Sequence, residues 1–127
     1  MKQNLTLTIA SLLSVLLMTF HLTDDIVRGF ANGGVALLIA VPIFVVWLYG
    51  TLVLAGRRSG YVIILLGSLL GLLVPVLHMR GAHFGEIAKS TGGFFFVWTM
   101  IALGVTALIS VILSVRGLWS LRRTTRD

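Results

Sequence analysis

Every Lys, Arg, Asp and Glu in this chain lies outside four long apolar stretches, and no other feature restricts the fold as tightly. The stretches are residues 5–22, 34–55, 61–78 and 93–115. Each approaches the ~20 helical residues that cross a bilayer core. Lipid offers no hydrogen bonds, so a spanning segment must satisfy its own backbone, as a helix does. The expected fold is an all-α integral membrane protein with four transmembrane helices, arranged as two tandem helical hairpins. Residues 1–127 are expected to form a single four-helix transmembrane domain. The chain is 57% apolar and 11% charged, which leaves a soluble domain of this length too little polar surface.

The charges outside the stretches sort by side. Four spans put Lys2, Arg57, Arg58, Arg116, Arg122, Arg123 and Arg126 on one side, with Asp127 as the lone acid. The other side holds Arg28, Arg80 and Lys89 against Asp24, Asp25 and Glu86. Basic residues mark the cytoplasmic side. Both termini are therefore expected in the cytoplasm and the protein in the cytoplasmic (inner) membrane. The net charge of +6 follows from topology and from attraction to anionic lipid, so it implies no nucleic acid. A second reading has Arg122, Arg123 and Arg126 docking a cytoplasmic partner. Lys2 and the first stretch look like a signal peptide. No small-x-small site follows at Met18-Thr19-Phe20-His21, so a retained helix is expected. The chain has no cysteine, which removes disulfides, Fe–S clusters and Cys-based zinc sites.

Punctuation along the chain gives a coarse organisation. The turn at 56–60 is short enough to make the second and third helices antiparallel neighbours. Thr23-Asp24-Asp25 reads as the start of a brief interfacial helix over 24–30. The glycine-rich loop 80–93 reads as the more flexible outer connection. His21 and His78 close the odd-numbered spans, and glycine pairs open the even-numbered ones, a faint sign of parallel repeats. Gly67 and Gly71 form a GxxxG segment, while Ala102, Thr106, Ser110 and Ser114 recur at steps of four. Small residues on one stripe let helix backbones approach, within the chain or between copies. Pro42 and Pro75 fall inside spans, and Pro75 can re-aim His78 one turn later. Phe94, Phe95, Phe96, Trp98, Tyr61 and Trp119 are expected at the bilayer interfaces. Trp47 and Tyr49 are expected between helices.

One constellation can carry chemistry. All three histidines and three of the four carboxylates fall at the same expected side: His21, Asp24, Asp25, His78, His83 and Glu86. Imidazole with carboxylate suits zinc or a similar divalent ion. His21 and His78 share a depth, so a bis-histidine haem b is a second cofactor reading. Solvated interfacial polar groups, with Arg28 pairing the aspartates, are the bland one. His21, Asp25 and His78 are expected to converge at the outer mouth of the bundle. Asp25 lies four residues after His21, on the same face of a continued helix. The spans contain no ionisable residue at mid-membrane depth, which disfavours a proton or ion pump. The composite expectation is a small, non-enzymatic membrane protein acting through association, as a homo-oligomer or in a membrane complex. The alternatives are a membrane-embedded metal-dependent enzyme or haem electron carrier, and a pore or transporter formed by oligomerisation.

Overall fold

The computed structural model describes residues 4–81 and 83–124, so the expected inner-side charges Lys2, Arg126 and Asp127 lie outside the described residues. The described chain is all-α. Its helices are α1 (Leu5–Val27), α2 (Gly33–Leu52), α3 (Arg58–Met79), α4 (Phe84–Lys89) and α5 (Gly93–Thr124). All but α4 are long and apolar enough to cross a membrane.

The helix ends follow local chemistry. Asn4 caps α1 by accepting from the Thr6 and Leu7 amides at 3.0 and 3.4 Å, and Asn32 caps α2 by accepting from Val35. These side chains replace the partners that the first amides of a helix lack. Gly56 turns the chain between α2 and α3 at φ +73°, a conformation that suits glycine.

Three expectations change. Residues 24–27 are not a separate interfacial helix but the last turn of α1. The Thr23 hydroxyl donates to the Thr19 carbonyl instead of capping a new start, and nothing between His21 and Val27 breaks the ladder. The loop over 80–93 contains α4. The last helix does not end at 115 but continues through Arg116 to Thr124.

Helix α5 packs most extensively against α3 and α1, and α2 lies against α3 and α1. Only 22–33% of the most apolar window of each long helix is buried inside the bundle. The remaining faces carry residues such as Leu38 and Leu77, exposed at 77% and 63%. Apolar surface turned outward on all four long helices is what a lipid-facing bundle presents.

Small residues sit where helices come closest. The α-carbon of Gly67 lies against the Trp47 ring, and a Cβ on Gly71 would stand 3.2 Å from that of Ala107. Gly117 lies against the Tyr61 ring. Apart from His21, the buried polar residues within the bundle are hydroxyls. Ser11 and Thr51 share a 2.8 Å hydrogen bond, the Trp47 indole N–H donates to Ser11 at 2.9 Å, and Ser14 donates to Thr106 at 3.0 Å. Of the expected stripe on the last helix, Ser110 is buried and Thr106 bonds across to α1, but Ala102 is only half-buried. The buried face runs through Phe96, Leu103, Ala107, Ser110 and Ser114. Trp47 packs between helices as expected, whereas Tyr49 is 51% exposed; Tyr61, in the first turn of α3, is buried in the core.

Candidate metal centre

The site forms because α1 does not stop at the end of its apolar run. Its extra turn carries Asp25 one turn beyond His21, so both project from one face. Helix α3 ends at the same level and supplies His78. The first turn of α5 supplies Phe96, which is fully buried and packs on both imidazoles, with ring centroids 5.1 Å from His21 and 5.7 Å from His78. The two imidazoles meet edge to face at 4.7 Å.

His21, Asp25 and His78 each bring one ligand-capable atom to a common point, and these atoms lie within 4.8 Å of one another. Asp25 Oδ2 stands 3.3 Å from His78 Nε2 and 3.7 Å from His21 Nε2. A tetrahedral zinc with bonds of ~2.0–2.1 Å separates its ligand atoms by about 3.3 Å. The cluster is thus at coordination spacing along one edge and within a small side-chain rotation of it along the others. A His/Asp/His cluster of this geometry can chelate a metal ion.

The hydrogen bonds say what the site lacks. His78 Nδ1 lies 2.9 Å from the Val74 carbonyl, which requires the proton on Nδ1. In the neutral ring, Nε2 then turns a lone pair toward the Asp25 carboxylate, oxygen facing nitrogen with no hydrogen between. His21 is 2% exposed, and neither of its ring nitrogens has a hydrogen-bond partner; Asp25 Oδ1 is also buried without one. Burying such groups unpaired costs several kcal/mol in an apolar setting (roughly 1–3 each). A cation among them offsets part of that cost, since it accepts lone pairs from the Asp25 carboxylate and from one nitrogen of the neutral His21 ring.

The other expected residues are placed elsewhere. Asp24 points to Arg28, whose Nε donates to Oδ2 at 2.7 Å. The same guanidinium donates to the Ser90 hydroxyl and the Thr91 carbonyl, tying the end of α1 to the connection between α4 and α5. It also lies 5.7 Å from the Phe96 ring centroid. His83 and Glu86 pair with each other at 3.2 Å, exposed at 76% and 83%, and do not reach the triad. Their i,i+3 spacing makes them partners on α4 and keeps them off the end of α1. Phe96 had only an interfacial reading in the sequence. The run Phe94-Phe95-Phe96 does not reveal which ring turns inward; Phe94 is 82% exposed and Phe96 is 0% exposed.

No family model matches the chain, and neither a curated protein nor a solved structure does so significantly.

Proposed function

We propose that this chain is a multi-pass membrane protein that holds one divalent transition-metal ion through His21, Asp25 and His78. The observation that carries this reading is that His21 and Asp25, both with buried unpartnered polar atoms, meet His78 with ligand-capable atoms of all three within 4.8 Å of one another. Two imidazoles and a carboxylate suit zinc or an ion of similar preference. Val74 acts as the outer-shell partner that fixes the His78 tautomer and leaves Nε2 for the ion. The edge-to-face contact of the two rings favours a compact ion over haem, whose macrocycle would have to lie between them. Three protein donors leave one tetrahedral position for water or for a group brought by another molecule.

In the membrane, the charge pattern puts the Arg57–Arg58 turn and both termini on the cytoplasmic side. The metal centre then faces outward, at the far end of the bundle. The wide apolar faces and the short connections fit a role through association, as a homo-oligomer or as part of a membrane complex, and a non-enzymatic one. Asp24, His83 and Glu86 serve as surface polar groups in this reading.

One second reading rests on the same distances. A protonated His78 held by Asp25 at 3.3 Å is an imidazolium–carboxylate pair, with a proton where the metal would sit. Equilibrium dialysis of the purified full chain against zinc, followed by elemental analysis, separates the two. The metal reading expects one ion per chain, lost in His21→Ala and Asp25→Asn. Wild-type protein that keeps no metal above a detergent blank contradicts it, and a Soret band would point to haem instead.

A further inference from the structure

We propose that the Arg116 end of α5 carries a binding site for the headgroup of one anionic glycerophospholipid. The site is built from Arg116, Trp119, Ser120 and Arg123 and stands independently of the metal centre.

Length is the first argument. Helix α5 has 32 residues. At 1.5 Å per residue that is ~48 Å, against a bilayer core of ~30 Å. Its uncharged run fills 93–115, so the excess falls at the end that begins with Arg116. Residues 116–123 therefore lie at headgroup depth.

Rigidity is the second. This end is not a frayed tail. Leu118 and Leu121 pack against the buried cluster of Leu7, Tyr61 and Ile64, and Gly117 sits on the Tyr61 ring. The opposite face is thereby held outward. That face presents Arg116, Trp119, Ser120 and Arg123 at i, i+3, i+4 and i+7, and together they line a shallow hollow. Trp119 is 61% exposed, and the Arg123 guanidinium lies 5.5 Å from its ring centroid.

Chemistry is the third. Two guanidinium forks, an indole N–H and a hydroxyl all offer donors, and arginine forks match phosphate oxygens in pairs. All carboxylates among the described residues, Asp24, Asp25 and Glu86, belong to the opposite end of the bundle. One turn toward the membrane centre, Ile112 and Val115 are exposed at 50% and 44%. An acyl chain can lie along them while its phosphate sits between the arginines. A free phosphate would gain nothing from that apolar continuation, and this is why a lipid is the occupant.

The test uses the full chain in neutral detergent with equimolar phosphatidylglycerol and phosphatidylcholine of matched chains. Native mass spectrometry reads the retained lipid. Phosphatidylglycerol should be retained preferentially, by about thirtyfold if each arginine contributes as a juxtamembrane base does. The double variant Arg116→Gln/Arg123→Gln should fall to the phosphatidylcholine level, while Arg57→Gln/Arg58→Gln keeps the preference. Equal loss in both double variants overturns the site in favour of diffuse charge. Displacement of the lipid by millimolar inorganic phosphate overturns it in favour of a free anion. No lipid preference in the wild type also overturns it, leaving the basic face to an acidic protein partner.

Discussion

Replacing Gly67 with Ala should destabilise the bundle, although alanine is the better helix former. A Cβ at that position stands 2.7 Å from Trp47 Cε2 and 2.8 Å from Cε3, where carbon pairs prefer ~3.5–4.0 Å. The ring is held in place. Trp47 is 1% exposed, and its N–H is held by Ser11, which shares a hydrogen bond with Thr51. Overpacking of a filled core costs roughly 1–3 kcal/mol. Loss of one interhelical hydrogen bond in a membrane adds about 0.6 kcal/mol and at most ~1.7. The gain in helix propensity over glycine returns up to ~1 kcal/mol. The net expectation is a loss of about 1–3 kcal/mol. At Gly71 the new Cβ meets Ala107 at 3.2 Å and Leu103 at 3.4 Å, so a shift of tenths of an ångström suffices and the net effect is near zero. Reversible unfolding in mixed detergent–SDS micelles, followed by circular dichroism, measures both. In the Gly67→Ala background, Trp47→Phe should cost less than it does alone, because the smaller ring relieves the crowding. A Gly67→Ala variant within ~0.5 kcal/mol of wild type, or a Gly71→Ala variant that loses more, refutes the packing argument.

Three other outcomes follow from the site and the topology. Asp25→Asn should weaken zinc binding by at least ~100-fold, since even outer-shell partners are worth 10–100-fold; Asp24→Asn should leave it nearly unchanged, because Asp24 serves Arg28. Bound metal should be released in acid, because protons compete with the ion for imidazole lone pairs and the ligating form is the neutral one. A pH titration from 8 to 5 by dialysis reads this, and affinity that holds steady to pH 5 removes the histidines as ligands. Cysteines placed at Ser59 and Ser90 should label from opposite sides of the membrane, and labelling of both from one side contradicts the four-span topology.

What could be read from the sequence was whatever depends on one helix at a time. The spans came from charge-free length, and the His21–Asp25 relation came from a spacing of four on a single helix. The grouping of His21, Asp25 and His78 needed only one further step, that two spans end at a common depth. What could not be read depends on which face meets which neighbour. Three phenylalanines in a row hide the one that packs on both imidazoles. The GxxxG glycines identified a close approach but not that Trp47 fills the space beside Gly67. The sequence reads Tyr49 as packed between helices and Tyr61 as interfacial, yet Tyr61 is the buried one, where Gly117 gives its ring room. Asp24 and Asp25 are adjacent and equivalent in composition. Their roles split because successive residues on a helix point ~100° apart, one toward Arg28 and one toward the histidines.

X-ray absorption at the zinc K-edge on the full-length protein loaded with one equivalent of zinc tests the central claim most directly. The triad predicts a shell of nitrogen and oxygen at ~2.0–2.1 Å, with outer scattering from two imidazole rings. The imidazole contribution should halve when either His21 or His78 is replaced by alanine. An all-oxygen shell with no imidazole scattering, or a spectrum that neither substitution changes, would contradict a metal centre at His21, Asp25 and His78.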